Sequence, residues 1–228
     1  KKKFQNELRR QAQENGVWLD NSYLSDKKLL HNQKARGTSE HDVYLNSDGK
    51  TLTKLNNLVY VTSSEHNKNL HAIIDRFSAH NKLFPNAAYT IKGFMNNLHG
   101  NPALVLDQPL IDAERNATKE EIHNYLTSIG FKLDGKRSLA NLHEVWSNGS
   151  YEIFDARPAN VLKGKDGELY FIDTIPHSVE YMNNSNMSDS GIESEGVETD
   201  NDVRFQSENL DKSKESRTFV LSFEKEKI

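Results

Sequence analysis

Phe4, Leu8 and Ala12 recur at i, i+4 and i+8 among polar residues, which puts them on one face of a helix from about Phe4 to Glu14, with Gly16 as its stop. The period then changes. Asp42-Val43-Tyr44-Leu45 and Thr51-Leu52-Thr53-Lys54-Leu55 flank Ser47-Asp48-Gly49, where Asp-Gly supplies the positive φ of a tight hairpin turn. Leu70, Ile73, Ile74 and Phe77 return to helical spacing, and this helix is expected to end before Phe84-Pro85. A second hairpin is predicted from Tyr89 to Asn96 and Ala103 to Leu106, joined across Gly100, after which Gln108-Pro109 is expected to break regular structure. Thr118-x-x-Glu121 is a capping box opening a helix with Ile122, Tyr125, Leu126 and Ile129, closed by Gly130. Short strands are predicted around Val145-Trp146, Ile153-Phe154, Val161-Leu162 and Leu169 to Ile172, with Asp166-Gly167 turning between the last two. Strands and helices segregate along the chain, so the predicted class is α+β rather than a doubly wound sheet.

The 228 residues suffice for one large domain or two small lobes. Hydrophobic content is only 35%, and the tail accounts for much of the dilution. From Ser188 to Asp202 the acids Asp189, Glu193, Glu195, Glu198, Asp200 and Asp202 stand without Lys or Arg, the composition of a disordered acidic linker. Thr218 to Phe223 beyond it could be a short strand or docking peptide. The absence of cysteine excludes disulfides, thiolate nucleophiles and Cys-ligated metal sites, and it fits a cytoplasmic location. A net charge of -4 offers no basic field for direct nucleic-acid binding, and no apolar run is long enough to span a bilayer. The chain opens at Lys1 without Met and is expected to be a piece of something longer.

The strongest chemical signal is Asp155-Ala156-Arg157-Pro158-Ala159-Asn160, followed by Asp173 at the end of Leu169-Tyr170-Phe171-Ile172. A hairpin that returns the chain would bring Asp173 beside Asn160, and a carboxylate plus an amide oxygen are hard ligands of the kind Mg²⁺ accepts. Asp155 would sit close by as a base or orienting group for an attacking hydroxyl. His80 beside Asn81 reads as a capping or packing pair, and the nine His residues form no zinc motif.

The chain here resembles the protein-kinase-like superfamily, whose catalytic loop reads Asp-x-Lys-Pro-x-Asn with a metal-binding Asp on the next strand. More narrowly, Gly37-Thr38-Ser39-Glu40-His41-Asp42-Val43-Tyr44, His80-Asn81-x-Leu83-Phe84-Pro85, Gln108-Pro109, Ile129-Gly130-Phe131 and Asp155-x-Arg157-Pro158-x-Asn160-Val161 resemble the kinase-like domain of polyvalent proteins, large multidomain proteins of phages and conjugative elements. The resemblance spans about Trp18 to His177 and implies a two-lobed fold. Its divisions would be an N-terminal helical segment (1–36), a strand-rich N-lobe (37–107), a reduced C-lobe with the catalytic loop (108–180) and an acidic tail (181–228).

The resemblance also implies roles. Asp155 would be the catalytic-loop Asp, Asn160 and Asp173 the Mg²⁺ ligands, and Arg157 would steady the transferring phosphate where kinases place a Lys. Lys54 would grip the nucleotide phosphates, its alternative being an exposed strand lysine. Gly37 would open the loop over the phosphates, and Gln108 with Asp107 would form the hinge receiving adenine, unless they merely kink a loop. The acidic partner of Lys54 would be Asp75 or, second, Glu65.

Some positions depart from the kinase pattern. Ile153-Phe154 replaces the usual His-Arg, Thr174-Ile175 replaces Phe-Gly, and only 55 residues (228 − 173) follow Asp173, which puts protein-substrate recognition in doubt. The implied function is an ATP- and Mg²⁺-dependent phosphotransferase with an unidentified acceptor, working beside other domains of a longer chain. The alternative is an inactive, pseudokinase-like nucleotide-binding or interaction module, and a DNA-associated accessory role rests only on the basic N-terminus.

Overall fold

The computed structural model describes residues 2–31, 40–58, 70–141, 143–180, 202–204 and 218–220. In chain order the elements are α1 (Lys2–Glu14), β1 (Lys28–His31), β2 (His41–Leu45), β3 (Thr51–Asn56), α2 (Leu70–Leu83), β4 (Thr90–Asn96), β5 (Pro102–Pro109), β6 (Ala113–Asn116), α3 (Lys119–Ser128), β7 (Lys132–Leu133), α4 (Gly135–Asn141), β8 (Val145–Ser147), β9 (Tyr151–Phe154), β10 (Val161–Gly164), β11 (Leu169–Phe171), β12 (Ile175–Ser178), β13 (Asp202–Arg204) and β14 (Thr218–Val220). The fold is α+β with antiparallel sheets. Two compact units divide it: residues 1–70, 89–110 and 197–228 form one, and 71–88 with 111–196 the other.

The first unit is built on a five-stranded sheet in the order β1-β2-β3-β5-β4. At the β2–β3 turn Gly49 takes φ +64°, and Asp48 Oδ1 accepts the backbone N–H groups of Lys50 and Thr51, which holds its carboxyl below the usual range. Tyr44, Leu55, Met95, Ala103 and Val105 form the core, flanked by Leu19, Tyr23 and Leu24. Gln108-Pro109 does not break the strand as expected; β5 runs through both, with Gln108 opposite Leu52 and Pro109 opposite Thr51. The reason is geometric. β4 begins at Thr90, opposite Asp107, so Pro109 has a ladder partner on one flank only and its missing N–H leaves no gap between two strands.

Helix α1 buries Leu8 and Ala12, and Arg9 Nη2 donates to Asn96 Oδ1 at 2.9 Å. Behind it the chain crosses β4 closely: Leu19 N–H donates to Phe94 O and Phe94 N–H donates to Val17 O. Gly93 makes this possible with φ +140°, because a Cβ there would lie 2.3 Å from Val17 O. Gly93→Ala is therefore expected to destabilise the first unit by about 2–3 kcal/mol, read as a lower thermal midpoint. A midpoint equal to that of the native chain would show that α1 is not held by this crossing.

The second unit carries the sheets β11-β10-β6 and β12-β9-β8-β7. Its core gathers Phe84, Ile122, Leu126, Phe131, Trp146, Ile153, Val161 and Phe171, with Phe84 and Phe171 stacked at 4.2 Å and 8°. Both halves of the expected capping box open α3, since Thr118 Oγ1 accepts from Glu121 N–H while Glu121 Oε2 accepts from Thr118 N–H. His80 is buried, with Nε2 2.9 Å from Ala87 O and its ring edge-on to Phe84, as a packing residue would be. In the tail, β13 and β14 pair antiparallel, so Thr218–Val220 is a strand. The rest of the acidic stretch lies outside the described residues, as do Gly37 and Glu65.

Candidate active site

Strand β9 delivers the chain to Asp155, where the backbone turns into the left-handed region at φ +57°. Asp tolerates this better than most residues because its short polar side chain can bond locally. The bonds are present. Arg157 N–H donates to Asp155 O at 3.0 Å, and Arg157 Nε stands 2.8 Å from Asp155 Oδ1. Asn160 Nδ2 donates to both Asp155 O and Asp155 Oδ2, each at 2.9 Å. Pro158 starts a single 3₁₀ turn whose last residue is Asn160, and Asn160 N–H donates to Arg157 O at 2.8 Å. Asp155, Arg157 and Asn160 thus form one knot.

The β10–β11 ladder returns the chain to Asn160 immediately before Asp173. Val161 pairs with Phe171, and Ile172 N–H donates to Asn160 O at 3.0 Å, so the residue carrying the second carboxylate follows directly on a backbone bond to Asn160. Gly167 makes the turn between the strands, as the Asp166-Gly167 pair predicts. Arg76 Nη2 on α2 lies 3.8 Å from Asp173 Oδ1. Asp75, the residue before it, accepts the Ser178 N–H through Oδ2 at 3.1 Å and stands 3.4 Å from His177 Nδ1.

A cleft of about 210 Å³ opens beside the knot, lined by Lys119, His143, Glu144 and Asp155 to Pro158. Glu144 accepts from Lys119 Nζ at 2.7 Å and lies 2.8 Å from His123 Nε2. Burial pushes its carboxyl up, but these two partners outweigh that and hold it below the usual carboxylate range. Sequence reasoning missed this lining because Lys119, His143 and Glu144 carry no motif; folding alone assembles them.

In the first unit, Lys54 sits in mid-strand between Val43 of β2 and Leu106 of β5 and is only 6% exposed, so it is not an exposed strand lysine. Its Nζ lies 5.4 Å from the centroid of the Tyr89 ring. Gln108 is buried two residues farther along β5, and Asp107 accepts from Thr53 Oγ1 at 2.7 Å with Lys92 Nζ 4.0 Å away.

The family model described as "Serine/Threonine/Tyrosine Kinase found in polyvalent proteins" matches residues 1–178. The chain belongs to this kinase family. The match takes in α1 at its start and closes at Ser178, the last residue of β12. No curated protein and no solved structure gives a significant match. Among the described residues of this kinase domain, no helix is long and apolar enough to cross a membrane.

Proposed function

We propose that this kinase domain transfers the terminal phosphoryl group of ATP to an acceptor hydroxyl with the help of Mg²⁺, as one module of a multidomain polyvalent protein. The observation that carries the proposal is the knot of Asp155, Arg157 and Asn160, with the Ile172 N–H to Asn160 O bond fixing the approach of Asp173.

The donor chemistry fits the cation. Asn160 spends both amide hydrogens on Asp155, which leaves its oxygen Oδ1 as the ligand atom, and Asp173 adds a part-exposed carboxylate. Two hard oxygens, with waters and phosphate oxygens to complete the shell, suit Mg²⁺ better than a softer metal. When bound, Mg²⁺ supplies positive charge against the phosphate oxygens. Asp155 orients the acceptor hydroxyl and takes its proton, and Arg157 offers a guanidinium to the moving phosphoryl group. Lys54, a buried cation, is assigned to the nucleotide phosphates, and Gln108 to the adenine side.

ATP with Mg²⁺ is expected to raise the melting temperature of the full chain, since a ligand at about 100 times its Kd stabilises the folded state by about 2.7 kcal/mol. Asp173→Ala is expected to remove that rise. Absence of any shift in the native chain would count against nucleotide binding of either kind, catalytic or not.

A further inference from the structure

Two consecutive residues of α2 reach the two ends of the segment from Asp173 to Ser178. Successive helix positions point about 100° apart, so one helix can serve two places at once. Arg76 faces the Asp173 carboxylate at 3.8 Å, with its own side chain 4% exposed against 39% for Asp173. Asp75 accepts the Ser178 N–H and lies beside His177. The strand that Asp75 braces pairs with β9, Ile175 opposite Phe154 and Ser178 opposite Tyr151, and β9 is the strand that presents Asp155. One helical turn is therefore tied to both carboxylate-bearing segments of the candidate site.

The two charges of the Arg76–Asp173 pair are not equivalent. A buried guanidinium needs an anion nearby, whereas a part-exposed carboxylate can take a new partner from solvent. Resting on the reading of Asp173 as a metal ligand, we propose that Arg76 is the counter-charge that holds the Asp173 carboxylate until a divalent cation carried by nucleotide phosphates replaces it, while Asp75 keeps β12 in place. A fixed positive charge this close to the carboxylate opposes a lone divalent cation. The negative phosphates reverse the balance, so metal and nucleotide bind cooperatively. Asp75 thereby acts on the Asp173 segment and is a positioning residue.

The test is Mn²⁺ binding to the full chain, followed by the electron paramagnetic resonance of the free ion, with and without ATP. Arg76→Met is expected to tighten binding of Mn²⁺ alone by roughly tenfold, while Arg76→Lys, which keeps the charge, leaves it near the native value. Unchanged or weaker binding of Mn²⁺ alone by Arg76→Met, with a native circular dichroism spectrum, overturns the counter-charge. If that variant does not fold, Arg76→Gln carries the same comparison. Asp75→Ala is expected to weaken Mn²⁺–ATP binding, and Asp75→Asn, which keeps an oxygen for the Ser178 N–H, to restore it; equal losses in both overturn the brace. Asp173→Ala separates the layers. If it leaves Mn²⁺–ATP binding intact, the ligand assignment of Asp173 itself fails; if it abolishes binding while Arg76→Met changes nothing, only the role of Arg76 falls.

Discussion

Asp155→Asn is expected to lower phosphoryl transfer by roughly 10²- to 10⁴-fold while leaving the ATP–Mg²⁺ melting shift in place. Asn is the right replacement because position 155 has φ +57°, which Asn tolerates and Ala does not. It also keeps one oxygen to accept from Asn160 Nδ2 and leaves the Asn160 bond to the backbone oxygen of residue 155 untouched, while the ion pair with Arg157 is lost together with the base. Transfer is measured with radiolabelled ATP against a mixture of candidate acceptors or as autophosphorylation. Equal transfer by native chain and variant would remove Asp155 from the chemistry. Nucleotide binding without transfer in either would favour the non-catalytic alternative.

Phe171→Ala is expected to destabilise the second unit by about 3–5 kcal/mol, a large share of the stability of an ordinary domain. Phe171 is fully buried, stacks on Phe84 and touches Tyr125 at 5.2 Å between ring centroids. The effect extends to the site, since Phe171 holds the register opposite Val161 and the next residue donates to Asn160 O. Chemical denaturation reads the loss. A change below about 1 kcal/mol would mean that the stacked rings do not form the centre of this core.

Local chemistry was readable where it acts within a few residues. The Asp48-Gly49 turn, the Thr118 and Glu121 cap and the Asp166-Gly167 turn each place their own strands or helix, and all three are found. Strands whose reason for existing is a distant partner were not readable. Ala113–Asn116 is exposed and polar, without alternation, and becomes β6 only by pairing with β10 some fifty residues on. The burial of Lys54 is likewise not a local property, because its side chain leaves the sheet plane and is covered by residues distant in sequence, among them Tyr89. Within the site, the order Asp155, Arg157, Asn160 was legible because a tight loop needs those spacings. The tie from Arg76 to Asp173 was not, since a helix-face arginine looks like any solvated cation until the helix has docked.

The left-handed backbone at Asp155 also constrains how this domain can drift. Most L-residues meet a penalty of about 1–2 kcal/mol in that conformation, but Asn and Gly largely escape it. A lineage that abandons catalysis while keeping the fold should therefore pass through Asn or Gly at this position before any bulkier side chain. Members of the family that lack the proposed base would then carry a recognisable scar at this one position.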